Sequence, residues 1–369
     1  MALVVVNATA ARASGALTIL NQFIDNIPAK TDDDFLIFVY DLPSSTTNEN
    51  VTWVKHDTSI WIKRIIWDEF GFKKYLKKNN IHPDLIISFQ NTGVKYDSRI
   101  PQLVYYHQML PLSDYRWNLF SKTEYLLFLY KHFYPFFIFR YINVNTLFIV
   151  QLPCIKEAFI KRFSYDPQKI YVIPPEMKII SMEKIPSWHF NDNFVHIIYP
   201  ATPLVYKNHR VLLKALELLR NRKKSLFSKV KLHFTFEKNN SIAIVSQAIM
   251  LDVGDAIVYD GIMPYDKLLS FYKGADALFF PSIIESYGLP LLEAANVGLC
   301  IYASDLPFSH DVLGHYLGVT FINCDDVESW YSAMINVCMS NKRRFPHILQ
   351  SKKNGWSDFF DLVDTVKVK

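Results

Sequence analysis

The stretch Ala277-Leu-Phe-Phe-Pro-Ser-Ile-Ile-Glu285-Ser-Tyr-Gly-Leu-Pro-Leu-Leu-Glu293-Ala-Ala-Asn-Val297 decides the fold. It opens as a continuous apolar strand, Ala277–Phe280, passes through a loop, and continues as a helix over Pro290–Val297. Pro290 suits the first helical position, where its missing N–H costs nothing. A second apolar run, Leu299–Ala303, follows at once. Fully apolar strands joined through helices are the building unit of a buried parallel sheet. The loop carries chemistry as well. The amides around Gly288 and Leu289 are helix-start donors without an intrahelical acceptor, and Gly288 removes the side chain that would keep a phosphate away from them. Glu285 and Glu293 flank that anion site, placed to accept hydrogen bonds from sugar hydroxyls. Either glutamate alone would be ordinary, because the helix dipole favours acids near an N-terminus.

Outward from this stretch the same alternation recurs. In the second half, strands are expected at Val195–Tyr199, Lys231–Phe236 and Ala256–Tyr259, and helices at Asn208–Arg220, Tyr265–Gly274 and from near Val327. In the first half, strands are expected at Ala2–Val6, Phe35–Tyr40, Leu85–Phe89, Gln102–Tyr106, Thr146–Gln151 and Ile170–Ile173. Helices are expected at Ala16–Ile27 and, as one or two, over Trp61–Lys78. Residues 176–193 are polar and irregular and read as a linker. The chain is therefore α/β, with two doubly wound parallel-sheet units, residues 1–180 and 181–354.

With 369 residues the chain is too long for one comfortable core. Half of it is apolar and a fifth charged, which excludes wholesale disorder. The net charge of +5 suits an anionic ligand or an anionic membrane surface, while no Arg-rich block or binding module speaks for nucleic acid. The four cysteines have no metal-ligand spacing and read as reduced thiols in a cytoplasmic protein. Met1–Gly15 lacks a basic n-region and reads as a first strand rather than a signal peptide.

The string Glu285 to Glu293 resembles the E-x7-E signature of retaining glycosyltransferases of the GT-B, family 4 (group 1) type. Ala303-Ser-Asp-Leu-Pro307 and Asp311-Val-Leu-Gly314 resemble the next motif of that family. The resemblance implies two Rossmann-like domains facing a central cleft. The first binds acceptor, the second binds the nucleotide-sugar donor, and a last helix over 355–369 packs back on the first. It also places a lysine on the donor diphosphate, matched by Lys207 in Tyr206-Lys-Asn-His209. Asn208 is a natural helix N-cap, and Lys207 beside it feels the unfavourable end of the dipole, which an anion would relieve. Thr202-Pro203 stands where many members carry an arginine; the Pro-Ala…Lys-Asn-His form is similar to a branch of bacterial surface-polysaccharide transferases. His107, just past a strand's carboxyl end, resembles the family's cleft histidine. Ala13-Ser-Gly-Ala16 is similar to its N-terminal loop. The resemblance thus assigns catalysis to His107, Lys207 and Glu285. It assigns donor binding to Gly15, Thr202, Lys207, Asn208, Glu285, Ser286, Tyr287, Gly288, Leu289 and Glu293.

No cofactor and no metal are expected. Asp32-Asp33-Asp34 contains a DxD pattern but precedes a strand, the wrong end of a sheet for a site. Residues 117–142 mix aromatics with Lys122, Lys131, His132 and Arg140, and Pro135 interrupts them. That pattern fits an interfacial helix on the cytoplasmic face of the inner membrane, or else core packing plus an oligomer contact. The expected activity is transfer of a hexosyl unit, with retention, to a lipid-linked glycan in O-antigen or capsule assembly. A nucleotide-sugar epimerase of the same fold, a glycan phosphorylase and a non-catalytic sugar-nucleotide binding protein are the alternatives.

Overall fold

The computed structural model describes residues 2–12, 14–29, 31–42, 48–176, 185–340, 343–348 and 355–367. The chain divides into two compact units, Met1–Glu176 with Lys352–Lys369, and Met177–Ser351.

The first unit runs β1 (Leu3–Ala8), α1 (Ser14–Asp25), β2 (Asp34–Val39), β3 (Val51–Lys55), α2 (Trp61–Ile66), a π-helical turn (Trp67–Gly71) and α3 (Phe72–Lys78). It continues through β4 (Leu85–Ser88), β5 (Gln102–Tyr105), α4 (Tyr125–Phe139), β6 (Thr146–Val150), α5 (Pro153–Phe163) and β7 (Ile170–Val172). All its strands are parallel, in the order β3-β2-β1-β4-β5-β6-β7. Side chains alternate across a strand, so β1 serves two cores. Val4 and Val6 pack with Phe23 of α1, while Val5 packs with Trp67, Phe72 and Leu76. The first core is closed by α13 (Gly355–Val366), which buries Trp356, Phe359, Phe360 and Val363 against it. The indole of Trp356 donates to Gln22 at 3.2 Å. Asp33 accepts from the amide of Ala2 at 3.0 Å and from Lys367 Nζ at 2.5 Å, which gives it a structural task at this end of the sheet.

The second unit runs β8 (Val195–Tyr199), α6 (His209–Arg222), α7 (Lys224–Phe227), β9 (Val230–Phe234), α8 (Ile242–Met250), β10 (Ile257–Tyr259) and α9 (Tyr265–Gly274). Then come β11 (Ala277–Phe280), α10 (Leu289–Asn296), β12 (Cys300–Ser304), α11 (Pro307–Leu313), β13 (Val319–Ile322) and α12 (Val327–Met339). Its strand order, β10-β9-β8-β11-β12-β13, is that of a nucleotide-binding Rossmann sheet, and it too is parallel throughout.

Of the segment read as a linker, 177–184 lie outside the described residues. Residues from Ile185 onward pack on the second unit: Lys273 donates to Ile185 O at 2.6 Å, and Phe190 stacks on His196 at 3.5 Å between ring centroids. Asp192 and Asp260 bracket the buried pair His196 and His233, whose rings hydrogen-bond at 2.9 Å.

Candidate active site

In a doubly wound sheet, ligands bind beyond the strands' carboxyl ends where the strand order reverses. In the second unit that point lies between β8 and β11. The loop after β8 delivers Lys207, and the loop after β11 delivers Glu285. Their side chains meet, Lys207 Nζ donating to Glu285 Oε1 at 2.5 Å, both largely withdrawn from solvent. The two loops are also joined along the backbone. The amide of Ile283 donates to Tyr206 O at 2.8 Å, and the Tyr199 hydroxyl donates to Lys207 O at 2.5 Å. An ammonium has three N–H donors, so Lys207 can keep this bond and still donate to an anion.

Three expectations need correction here. Asn208 stands at the N-cap position of α6 but does not cap it. Its φ is 55°, in the left-handed region, and its side chain donates instead to Cys324 O at 2.7 Å. The charge of Lys207 is not left for a ligand alone to relieve, because Glu285 meets it. Gly15 does not lie in a turn before a helix: α1 starts at Ser14, so Gly15 belongs to its first turn. Ala13 of the same stretch lies outside the described residues. Thr202 sits on the exposed stretch after β8.

Gly288 precedes α10 with φ 86°, a conformation that L side chains resist, and an added Cβ would meet Leu291 Cδ1 at 3.3 Å. Tyr287 beside it is buried, while Ser286 and Leu289 are half-buried. Glu293, in the second turn of α10, is buried and points to α9. Tyr272 Oη donates to its Oε2 at 3.3 Å, and the Tyr265 hydroxyl also bonds the carboxylate. Burial pushes its pKa up to about 7, against the opposing pull of the two tyrosines. Neither tyrosine stood out in the sequence. They lie two helical turns apart on α9, hence on one face, and that spacing was the available signal.

His107 belongs to the first unit, just past β5. Its amide donates to Asn91 Oδ1 at 2.7 Å, and burial together with the nearby Arg64 guanidinium lowers its pKa to about 4. That unit has its own strand-order reversal, between β1 and β4. A polar cluster unread in the sequence sits there. Gln90 donates to Asn7 Oδ1 and to Thr9 Oγ1, and Asn7 donates to Asp68 at 3.0 Å. Burial raises Asp68 to about 7, opposed chiefly by Arg64.

The family description "Glycosyl transferases group 1" matches residues 182–353, which takes in almost the whole second unit. That match spans just under half of the chain. Over 97 residues it is 31% identical to the O-antigen chain mannosyltransferase RfbU of Salmonella typhimurium strain LT2, covering 26% of this chain and 27% of that protein. Among solved structures, the apo lipopolysaccharide outer core galactosyltransferase WaaB is similar across 99% of both chains, at TM-score 0.60 and 14% identity. Anabaena HepE, solved with UDP and glucose, is similar over 99% of this chain and 100% of that one, at TM-score 0.59 and 12% identity. The likeness to these structures extends over both units, so the group 1 domain sits in a two-Rossmann GT-B architecture.

Proposed function

We propose that the chain is a retaining, metal-independent hexosyltransferase that takes its sugar from a nucleoside diphosphate donor. The acceptor is a lipid-linked glycan in O-antigen or capsular polysaccharide assembly. The observation that carries this reading is the Lys207–Glu285 pair at the strand-order reversal of the group 1 domain, beside the glycine-opened start of α10. In this reading the α10 amides and Lys207 bind the donor diphosphate, and their positive potential stabilises the charge that grows on it as the glycosidic bond breaks. Glu285, oriented by Lys207, accepts from sugar hydroxyls, and Glu293 from those of the ribose. His107 contacts the reacting region as a neutral ring. No side chain is assigned as a nucleophile: the acceptor hydroxyl attacks on the face the diphosphate leaves, its proton passing to the leaving phosphate oxygen. A complex of a structural neighbour with UDP and glucose supports the donor class.

The membrane contact rests on a different observation. Ile62 and Ile66 of α2, and Leu126, Phe133 and Phe136 of α4, are exposed, with Trp61 on Phe137 at 5.0 Å between ring centroids. Lys63, Lys122 and Arg140 lie exposed on the same segments, a composition suited to an anionic leaflet. Among the described residues no helix is long and apolar enough to cross a membrane, so the contact proposed is peripheral, at the cytoplasmic face of the inner membrane.

The test is product analysis with UDP-, GDP- and dTDP-hexoses and a lipid-linked acceptor fraction. The wild type should yield an acceptor extended with the donor's anomeric configuration. Lys207→Ala and Glu285→Ala should each lower turnover by on the order of 10²-fold or more with unchanged circular dichroism. Wild-type turnover in either variant would refute the site.

A further inference from the structure

Glu293 is held in a way that the donor reading by itself does not require. A carboxylate offers about four lone-pair positions. Here two hydroxyls of one neighbouring helix reach it, those of Tyr272 and Tyr265. The two donors differ in setting: Tyr272 is fully buried, while Tyr265, at the start of α9, is half-buried. Glu293 itself keeps a relative exposure of 7%, a small open edge on an otherwise enclosed group. A buried carboxylate is costly unless hydrogen-bonded, and its rotamer is free unless something fixes it.

We propose that Tyr265 and Tyr272 are positioning residues for nucleoside recognition. Their hydroxyls clamp one side of the Glu293 carboxylate and so aim its remaining lone pairs at a vicinal diol, the ribose of the donor. This rests on the donor-binding reading of the second unit. Neither tyrosine touches the ligand in this scheme; both act through Glu293. A diol that donates two hydrogen bonds needs the ionised carboxylate, so binding expels the proton that burial encourages Glu293 to keep. Removing a tyrosine donor removes a bond that favours the ionised form. The carboxylate is then both misaligned and harder to ionise.

The test measures dissociation constants by calorimetry for UDP and GDP and for their 2′-deoxy counterparts, between pH 6 and 8. Wild type should prefer the ribo form by on the order of tenfold, the worth of one charged hydrogen bond, and the preference should grow with pH. In Tyr272→Phe that preference should fall to roughly twofold or less at pH 7 and return in part at pH 8. Tyr265→Phe, a change at a half-buried helix start, should do the same to a smaller extent and covers the case in which the buried substitution disturbs the fold. A purely structural role would weaken ribo and deoxy forms alike and leave the pH profile in place. Variants that bind while keeping the wild-type ribose preference and pH profile overturn this inference alone. A folded wild type that binds dTDP but neither ribonucleotide also overturns this inference alone, since deoxyribose has no vicinal diol. One that binds none of UDP, GDP and dTDP overturns the donor reading and the inference with it.

Discussion

Gly288 and Gly15 stand at the starts of helices with opposite demands on them. At Gly288 the backbone is in the left-handed region, φ 86°, and Leu291 Cδ1 would lie 3.3 Å from an added Cβ. The side chain of Leu291 can yield a few tenths of an ångström, but the dihedral cannot. Gly288→Ala should therefore cost about 1–2 kcal/mol, and it also sets a methyl beside the amides assigned to the diphosphate. A drop in the denaturant midpoint, with nucleoside diphosphate affinity falling further than stability explains, is the expected result. Gly15 meets nothing within 4 Å of an added Cβ and carries no positive φ. Gly15→Ala should stabilise the first unit by roughly 0.5–1 kcal/mol, since alanine is the better helix former. If Gly15 is there to admit a ligand, the same substitution should lower kcat/KM. A more stable variant with unchanged kcat/KM would remove Gly15 from the donor set.

At the scale of elements, the pairing of α2 with α4 gives the membrane reading its sharpest test. Only Tyr134 and Ile138 of α4 are buried, and Phe133 and Phe136 are 63% and 60% exposed. Burying one such side chain in a bilayer interface contributes about 1.5–3 kcal/mol. Ile62→Ser and Phe133→Ser should each reduce co-sedimentation with vesicles containing anionic lipid by on the order of tenfold. Transfer to a water-soluble acceptor should not change, and vesicle binding equal to wild type would end the membrane reading. The same elements show what a sequence discloses. Val195–Tyr199, Tyr265–Gly274 and Ala277–Phe280 are read to the residue, because a buried strand or an amphipathic helix writes its own period. β3 goes unread: it is a short edge strand whose residues are all half-buried or exposed, so its apolar side chains mark no buried face. The Trp61–Lys78 stretch is helical throughout, yet its π turn has no local signature. That turn depends on Gly71, where a Cβ would meet Trp67 Cε3 at 2.7 Å. The site divides in the same way. Glu285, Gly288 and Glu293 share one loop and helix and are legible together, whereas the tyrosines that hold Glu293 reach it only once α9 has packed on α10.

For the whole molecule, the buried titratable groups set opposing pH dependences within each unit. Asp68 in the first unit and Glu293 in the second are each raised to about 7 by burial. His107 in the first is lowered to about 4, and His209 in the second to about 3, again mainly by burial. Between pH 4.5 and 6.5, the ordinary values of a glutamate and a histidine, each acid holds a proton when folded that it loses when unfolded. Its contribution is present at the acidic end and declines as pH rises through 7. Each histidine does the reverse: it takes up a proton only on unfolding, so its contribution is present above pH 6.5 and is lost as pH falls. In the first unit Asp68 is opposed by two histidines, His107 and His56, the second also lowered by burial, so stability should rise with pH across the window. The second unit has the same balance, Glu293 against His209 and His196, and its stability should likewise rise with pH. Exposed carboxylates held low by neighbouring cations, such as Asp97 at about 2, change stability only below this window. Glu293→Gln keeps the shape of the side chain and deletes the opposing acid. It should steepen the second unit's rise by up to ~1.4 kcal/mol per pH unit, and Asp68→Asn should steepen the first unit's rise by a similar amount. Hydrogen-exchange protection, corrected for intrinsic rates and followed in β8 and β11 for one unit and in β1 and β4 for the other, separates the two responses. Protection in β8 and β11 that runs parallel for wild type and Glu293→Gln from pH 4.5 to 6.5 would mean that the carboxyl carries no proton in the fold. The tyrosine hydroxyls would then already hold it ionised.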